Sequence, residues 1–508
     1  MSILVHCPIR LIRGIRHLLT ISPDARTNCT WREHTRNKMK MTARIALITA
    51  LATTTLAFAR RSPARQAPTI YAFTNVSVLA MDAERLVADQ TVIVRGDRIE
   101  TVGPSAKVNV PANATRIDGR GKYLMPGLAE MHAHIMAAGA QGNMGEALNR
   151  DILLLYLANG ITSIRAMLGA PNQLVLRERI NSGEVLGPSM WVGAPSINGS
   201  TAPTADSAAK LVRLHKTAGY DFIKLHGGLT NASYDSMAAA ARAVGLTWAG
   251  HVSSDVGVER TIATGQSTIE HLDGYLFGVR STGARDPGTV GDSIRATNEA
   301  RFPMLAHATK IARTWNTATM SLYLNIFNRA ESPEMMAERP EMKYWMKSGV
   351  AGWVRGLKSR IASDANIGIT PEIAARQLEL RRRFLKTLSD SGAPLLMGTD
   401  SPQLFMVPGF SLHREIAEMA AAGMRPYQIY ETGTKNVARY VSAVLKQDGG
   451  FGMIVAGNRA DVVLLDANPL ESVGNLTRRA GVMVRGRWLP RSEIDRQLAE
   501  LAARMAIR

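Results

Sequence analysis

The chain has 508 residues, 46% hydrophobic and 20% charged, with a formal net charge of +19. This is globular composition, enough for one large domain and a smaller one. Residues 1–59 supply +7 of the charge, and the remaining +12 is spread without long basic blocks. That distribution argues against nucleic acid as a partner and leaves a weak bias toward anionic surfaces or substrates.

Near the amino end, "MKMTAR" from Met39 is short and basic, "IALITALATTTL" is a short apolar core, and "AFA" ends at Ala59. This order is that of a secretory signal peptide cleaved after Ala59. The chain is therefore expected to be exported, to a periplasm or beyond the cell. The signal lies deep, so translation is expected to begin at Met39 or Met41, and residues 1–38 read as an upstream extension. Both cysteines, Cys7 and Cys29, fall in that extension. The mature chain needs no disulfides, and no metal site in it uses thiolate. No apolar run is long enough to span a bilayer, so no membrane anchor is expected once the signal is removed.

Residues 60–68, "RRSPARQAP", form a linker. Strand-like runs with glycine turns follow at 69–125, and again at 451–508, where "VIVRGDRI" recurs as "VMVRGRWL". The two ends are expected to pair into one small β-sandwich domain, closed by an amphipathic helix in "RSEIDRQLAELAARM".

Between them, residues 126–450 alternate. The apolar runs "LMPGLAEMHAH", "GITSIRAM", "MWVGAPSI", "YDFIKLH", "LTWAGHV", "STIEHL", "TWNTATMSLY" and "APLLMGTD" are mostly separated by helical stretches. Eight strands with intervening helices predict an α/β fold, a (β/α)8 TIM-type barrel. His271 and Asp400 lie 129 positions apart, too far for two βα units. A helical insertion near 328–367 accounts for the excess and reads as a cap over the barrel mouth.

Polar residues punctuate the strand ends, where such barrels place their chemistry. His132 and His134 lie on the first strand, Lys224 on the fourth, His251 on the fifth, His271 on the sixth and Asp400 on the eighth. Residues i and i+2 of a strand share a face, so His132 and His134 can grip one ion. With Asp400 they make one site, and His251 with His271 makes a second. Two cations side by side need a bridging anion. Lys224 supplies one if its neutral amine adds carbon dioxide and becomes a carbamate. Imidazole and carboxylate donors suit zinc, manganese, iron or cobalt. Zinc is the default by availability. The expected chemistry is attack by a metal-activated water, with Asp400 as general base and then acid.

The ordered set "MPGLAEMHAH", "NGITSIRAM", "DFIKLH", "AGHV", "IEHLDGY", "LLMGTDSP" and "GNRADVVLLDANPL" resembles the amidohydrolase superfamily, in its imidazolonepropionase-like and prolidase-like branch. The resemblance covers roughly 69–490, apart from the insertion. Two departures stand out: Glu130 replaces the aspartate often found before His-x-His, and Arg165-Ala166 stands where Arg-Asp is usual. The resemblance implies that Tyr275, in the loop after strand six, lies near a substrate carboxylate. Arg165, His226 and Trp315 sit near predicted strand ends as further candidates to line the pocket. His307 and His413 read as structural or surface residues.

The expected activity is hydrolysis of small amides, in the manner of a dipeptidase or carboxypeptidase-like amidase, with N-acyl amino acids as close variants. The partner is a small-molecule amide or peptide, with self-assembly into a homo-oligomer left open. A lactonase or phosphotriesterase would use the same metals. A mononuclear deaminase would need no strand-four lysine, and a non-enzymatic scaffold would typically have lost its ligands.

Overall fold

The structure is a computed structural model that describes residues 68–137, 145–276 and 289–507. Thr69–Arg508 form one compact unit. The expected signal and linker lie outside the described residues, apart from Pro68.

The two ends of this unit meet in one mixed sheet. Strands β1 (Ile70–Val78), β2 (Val87–Arg95) and β3 (Arg98–Pro104) pair antiparallel in sequence, and β4 (Thr115–Asp118) adds to β1 in parallel. The crossing between the ends is made by β5 (Tyr123–Pro126), antiparallel to β14 (Val462–Leu465), which continues into β15 (Arg479–Val484) and β16 (Arg487–Pro490). Phe73, Val76, Val92, Leu124, Val462, Leu464 and Met483 pack as its apolar face. The recurring phrase forms two hairpins whose turns touch: Gly486 has φ +74°, and a Cβ there would lie 1.7 Å from the Gly96 carbonyl oxygen. The ladders make a single eight-stranded sheet and do not delineate the two facing sheets of the expected sandwich. The expected terminal helix is Arg491–Ala506.

The middle contains eight short strands, all parallel to their neighbours. One sheet holds β6 (Leu128–Ala133), β7 (Ile161–Ala166) and β8 (Ser189–Val192). The other holds β9 (Ile223–Leu225), β10 (Trp248–Gly250), β11 (Thr268–Glu270), β12 (Trp315–Thr317) and β13 (Leu395–Leu396) in sequence order. Isolated parallel bridges, Gly193 with Phe222 and Ile197 with Leu225, connect the segment after β8 to β9; Ala133 with Ser401 connects β6 to the segment after β13. This is a TIM-barrel-like α/β arrangement, although no unbroken ladder runs through all eight strands among the described residues.

The strand reading was too long at one place. "TWNTATMSLY" is strand only at Trp315–Thr317, and a helix begins at Met320. Its start is fixed by Glu415, whose carboxylate accepts from the backbone N–H groups of Met320 and Ser321 at 2.9 and 2.7 Å. The insertion is helical as expected, with Pro333–Ala337 and Lys347–Asp364 as its α-helices.

Gly398 sets the approach of the last strand segment to the first. A Cβ there would lie 2.7 Å from the His132 backbone nitrogen and 2.6 Å from Thr317 Cγ2. Across this seam Glu130 is fully buried and accepts from the N–H groups of His132 and Thr399 and from the Thr399 hydroxyl, at 2.7–2.9 Å. Glu130 therefore ties two strand ends together, a scaffolding role rather than that of a ligand.

Candidate metal centre

At the carboxyl ends of these strands, five imidazoles form a continuous run. Ring centroids are 5.6 Å apart for His134–His132, 4.6 Å for His132–His271, 4.7 Å for His271–His251 and 4.8 Å for His251–His226. Asp400 closes the His134 end, with Oδ1 at 2.6 Å from His134 Nε2 and 3.4 Å from His132 Nε2. Its Oδ2 is 3.8 Å from His271 Nε2. Donor atoms of His132, His134 and Asp400 all lie within 4.8 Å of one another. The structure thus brings together all six expected ligands' strand ends, with His226 beside them.

The rings are oriented from behind. His132 Nδ1 is 2.8 Å from Glu270 Oε2, His251 Nδ1 is 2.7 Å from Asp273 Oδ2, and His271 Nδ1 is 2.8 Å from Thr319 Oγ1. His226 Nδ1 is 2.6 Å from Ser196 Oγ. An Nδ1–H given to a carboxylate leaves the Nε2 lone pair of His132 and His251 available, the tautomer a metal ligand needs. His271, Asp400 and Thr319 all have positive φ, at 63°, 74° and 49°. Non-glycine residues rarely hold that backbone, which is typical of functional sites.

Lys224 is 0% exposed, and its Nζ has no hydrogen-bond partner among the described residues. Burial is the largest influence on it and lowers its pKa, favouring the neutral amine. Burial also holds His132 and His271 well below the ordinary imidazole range, and pushes His226 down to about 2, with the Lys224 charge adding to each. A group of clustered imidazoles, one carboxylate and an unpartnered buried amine fits a divalent metal centre better than a structural core. The donor set contains no thiolate.

Three residues expected near substrate are placed elsewhere. Tyr275 is fully buried, donates to or accepts from Thr309 Oγ1 at 2.9 Å and packs on Phe384, so it is a core residue. Trp315 starts β12, at the opposite strand end from the cluster, edge-on to Tyr440. Arg165 is 0% exposed beneath the histidines, where it donates to Glu270 Oε1 at 2.8 Å, the Met131 carbonyl at 2.6 Å and the Tyr440 hydroxyl at 3.1 Å. It supports the site and does not line a pocket. His307 is exposed on the helix Phe302–Ala312, and His413 contacts Arg479.

Sequence reasoning missed Glu270. It is 0% exposed and carries both His132 and Arg165, with Thr268 as a third donor. Burial is the largest single influence and would raise its pKa, but the Arg165 and Lys224 charges and the Thr268 hydrogen bond together outweigh it and hold the carboxyl below its ordinary value. Its signal was present: a glutamate directly before a candidate ligand within a buried strand. Asp273 and Thr319 were legible only through contacts made in space.

Strand-end histidines and an acid on a TIM-barrel-like α/β frame define a class of metal-site proteins. A model of the amidohydrolase family matches residues 123–489, and the chain belongs to that family. An imidazolonepropionase of Stenotrophomonas maltophilia (strain R551-3) is 31% identical over 114 residues, which is 21% of this chain and 28% of that protein. The match thus spans little more than a quarter of that relative. Among solved structures, a bottromycin amidohydrolase has a TM-score of 0.62 at 21% identity, covering 86% of this chain and 90% of the other. A Xaa-Pro dipeptidase with bound methionine in its active site has a TM-score of 0.60 at 16% identity, covering 83% and 100%. These structural likenesses are likenesses of fold.

Proposed function

We propose that the chain is a metal-dependent hydrolase of carbon–nitrogen bonds, acting on small amides such as dipeptides and N-acyl amino acids. The observation that carries this reading is the orphaned Lys224 amine, buried at the strand ends among four histidines and Asp400. In this reading His132, His134 and Asp400 hold one divalent ion and His251 and His271 a second, with zinc expected. Addition of carbon dioxide to the neutral Lys224 amine, forming an N–C bond with loss of a proton, would give a carbamate that could serve as a further anionic ligand. Bound metal supplies acidification of a water and polarisation of the scissile carbonyl.

The chain's own residues do the rest. Asp400 is the carboxylate nearest the facing Nε2 atoms, and it takes the proton of the attacking water and returns it to the leaving nitrogen. Glu270 and Asp273 keep His132 and His251 in the ligating tautomer. His226, stacked on His251 and neutral, is positioned to hydrogen-bond substrate. The reading includes a closed (β/α)8 barrel over 126–450, a β-sandwich domain from 69–125 and 451–508, and export directed by the leader ending at Ala59.

Metal analysis of purified protein, with a screen of dipeptides and N-acyl amino acids against simple lactones, tests the proposal. Two metals per chain and amide turnover are expected. Lactone turnover alone would overturn the C–N assignment, and one metal per chain the binuclear site.

A further inference from the structure

His226 ends the histidine run on the side away from Asp400, its ring stacked on His251 at 4.8 Å with 25° between the planes. Arg165 and Tyr275 are fully buried, whereas His226 is half-buried, as is Ser196 beside it. The two loops that carry them are locked together. Ile197 pairs with Leu225 in a parallel bridge, and the His226 backbone N–H donates to the Ile197 carbonyl oxygen at 3.0 Å. A Cβ on Gly199 would lie 2.2 Å from the Gly228 carbonyl oxygen, so the loops meet backbone to backbone.

The hydrogen bonds behind His226 fix its proton. Asn198 Oδ1 accepts from the backbone N–H groups of Ser200 and Thr201 at 2.9 and 3.0 Å. Backbone N–H groups only donate, so the other end of that side chain is its amide nitrogen, which donates to Ser196 Oγ at 3.3 Å. The remaining partner of Ser196 Oγ among the described residues is His226 Nδ1, at 2.6 Å. The hydroxyl proton goes there, since the reverse direction leaves it without a recipient among those residues. Nδ1 of His226 is therefore the acceptor and Nε2 carries hydrogen. His132 and His251 are the opposite case, because their Nδ1 atoms face the carboxylates of Glu270 and Asp273. His271 Nδ1 also meets a hydroxyl, that of Thr319, but no amide donates to that oxygen among the described residues. The Nε2–H of His226 has no partner among the described residues, which leaves one donor free beside His251.

We propose that His226 Nε2–H donates to the scissile carbonyl oxygen, and to the oxyanion which that oxygen becomes, and is not a metal ligand. Ser196 and Asn198 are positioning residues that fix its tautomer. The inference rests on the hydrolase reading above and adds a catalytic residue to it. The base of that reading, Asp400, touches His134 at the other end of the run. A carbonyl attacked by water from the Asp400 end presents its oxygen to the His251–His226 end, where a preformed donor binds more strongly as charge develops. As the water oxygen bonds to carbon, the C=O π pair moves onto the oxygen beside His226. On collapse that pair re-forms the C=O bond while the C–N bond breaks, and Nε2 keeps its proton throughout.

The test measures kcat for acetate release from N-acetyl-L-alanine by the metal-loaded full chain. His226→Phe keeps a stacking ring and removes the donor, so kcat should fall by about 10²–10³. Competition with a chelator should show metal affinity within about twofold of wild type, since no ligand or its support is removed. A glutamine amide can take the place of Nε2 and donates without a tautomer, so His226→Gln should return kcat to within about tenfold of wild type. Ser196→Ala should lower kcat by about tenfold in wild type. It should have no effect in His226→Gln, a coupling that loosened packing would not produce. This pair carries the test if His226→Phe does not fold. Loss of metal in His226→Phe, a change confined to KM, or equal effects of Ser196→Ala in both backgrounds overturns the proposal. If neither N-acetyl-L-alanine nor any dipeptide is hydrolysed, the hydrolase reading fails separately, and calorimetric binding of methylphosphonate, a tetrahedral oxyanion, decides the donor. Binding about tenfold weaker in His226→Phe and restored in His226→Gln supports it. Equal binding by all three proteins, or none by wild type, overturns it.

Discussion

Replacing Glu270 by glutamine changes one atom and should damage the site in two distinguishable ways. The carboxylate accepts from His132 Nδ1 and Arg165 Nη2, both at 2.8 Å, and all three side chains are 0–1% exposed. A glutamine has one acceptor oxygen and one donor amide. With the oxygen toward Arg165, the amide donates to His132 Nδ1, moves the ring proton to Nε2 and blocks the ligating lone pair. With the oxygen toward His132, the amide faces the Arg165 guanidinium, donor against donor. Either way Arg165 loses its buried counter-charge. Stranding one member of such a pair costs about 3–5 kcal/mol, and the remaining hydrogen bond puts Glu270→Gln at the lower end. Loss of the partner behind a metal-ligating histidine typically weakens metal binding by about 10–100-fold. Urea melts of the metal-free protein read the first effect, and competition with a chromophoric chelator reads the second. Glu270→Gln combined with Arg165→Met should recover part of the stability and none of the metal affinity. A single variant with affinity within twofold of wild type and an unchanged melt would refute the role given to Glu270.

Asp400→Asn keeps the size and removes the base, so kcat should fall by about 10²–10⁴ with substrate binding partly retained; near-normal turnover would remove Asp400 from proton transfer. Lys224→Ala should lose most metal and activity, with partial rescue by propionate, and bicarbonate-free reconstitution of wild type should slow recovery; two metals and full activity in the variant would refute the carbamate. His413, held down to about 3 by burial and by the Arg479 charge, titrates near 6.5 when unfolded. Its contribution is therefore complete above about pH 6.5 and is lost as pH falls toward 3, because only the unfolded chain takes the proton in that window. Urea midpoints should show a shallower acid-side decline in His413→Leu than in wild type, and identical slopes would refute the assignment. Export predicts a mature amino terminus at Arg60, which sequencing of protein from its native compartment checks against a terminus at Met1.

The sequence carried the candidate ligands because each sits at a strand end, and strand ends are written locally. An apolar run followed by a histidine, lysine or aspartate needs no knowledge of distant contacts. His132 with His134 follows from the two-residue repeat of a strand, and Lys224 drew notice because an ammonium there conflicts with neighbouring cations. The pairing of the two chain ends was likewise legible from the recurring hairpin phrase, whose turns touch at Gly96 and Gly486.

What stayed hidden is set by which face of a strand or helix a residue takes after the chain closes on itself. Arg165 and Trp315 occupy strands that do supply the site, so nearness in sequence suggested pocket roles. Arg165 instead turns beneath the histidines to neutralise Glu270, and Trp315 stands at the far end of its strand. Tyr275 lies four residues beyond His271, yet His271 and Leu272 both have positive φ, and the chain turns there before delivering Tyr275 to Phe384. The converse case is Arg381, 110 positions from His271 and bonded to its carbonyl. In sequence it is one of three consecutive arginines on an amphipathic helix, and two of these are ordinary surface ion-pair formers. Only burial separates the third, and burial is a property of the packed helix rather than of the tripeptide. An isolated charge in the interior is costly, and the His271 carbonyl and the face of the Tyr323 ring, neither adjacent to Arg381 in sequence, are the contacts that accompany its burial.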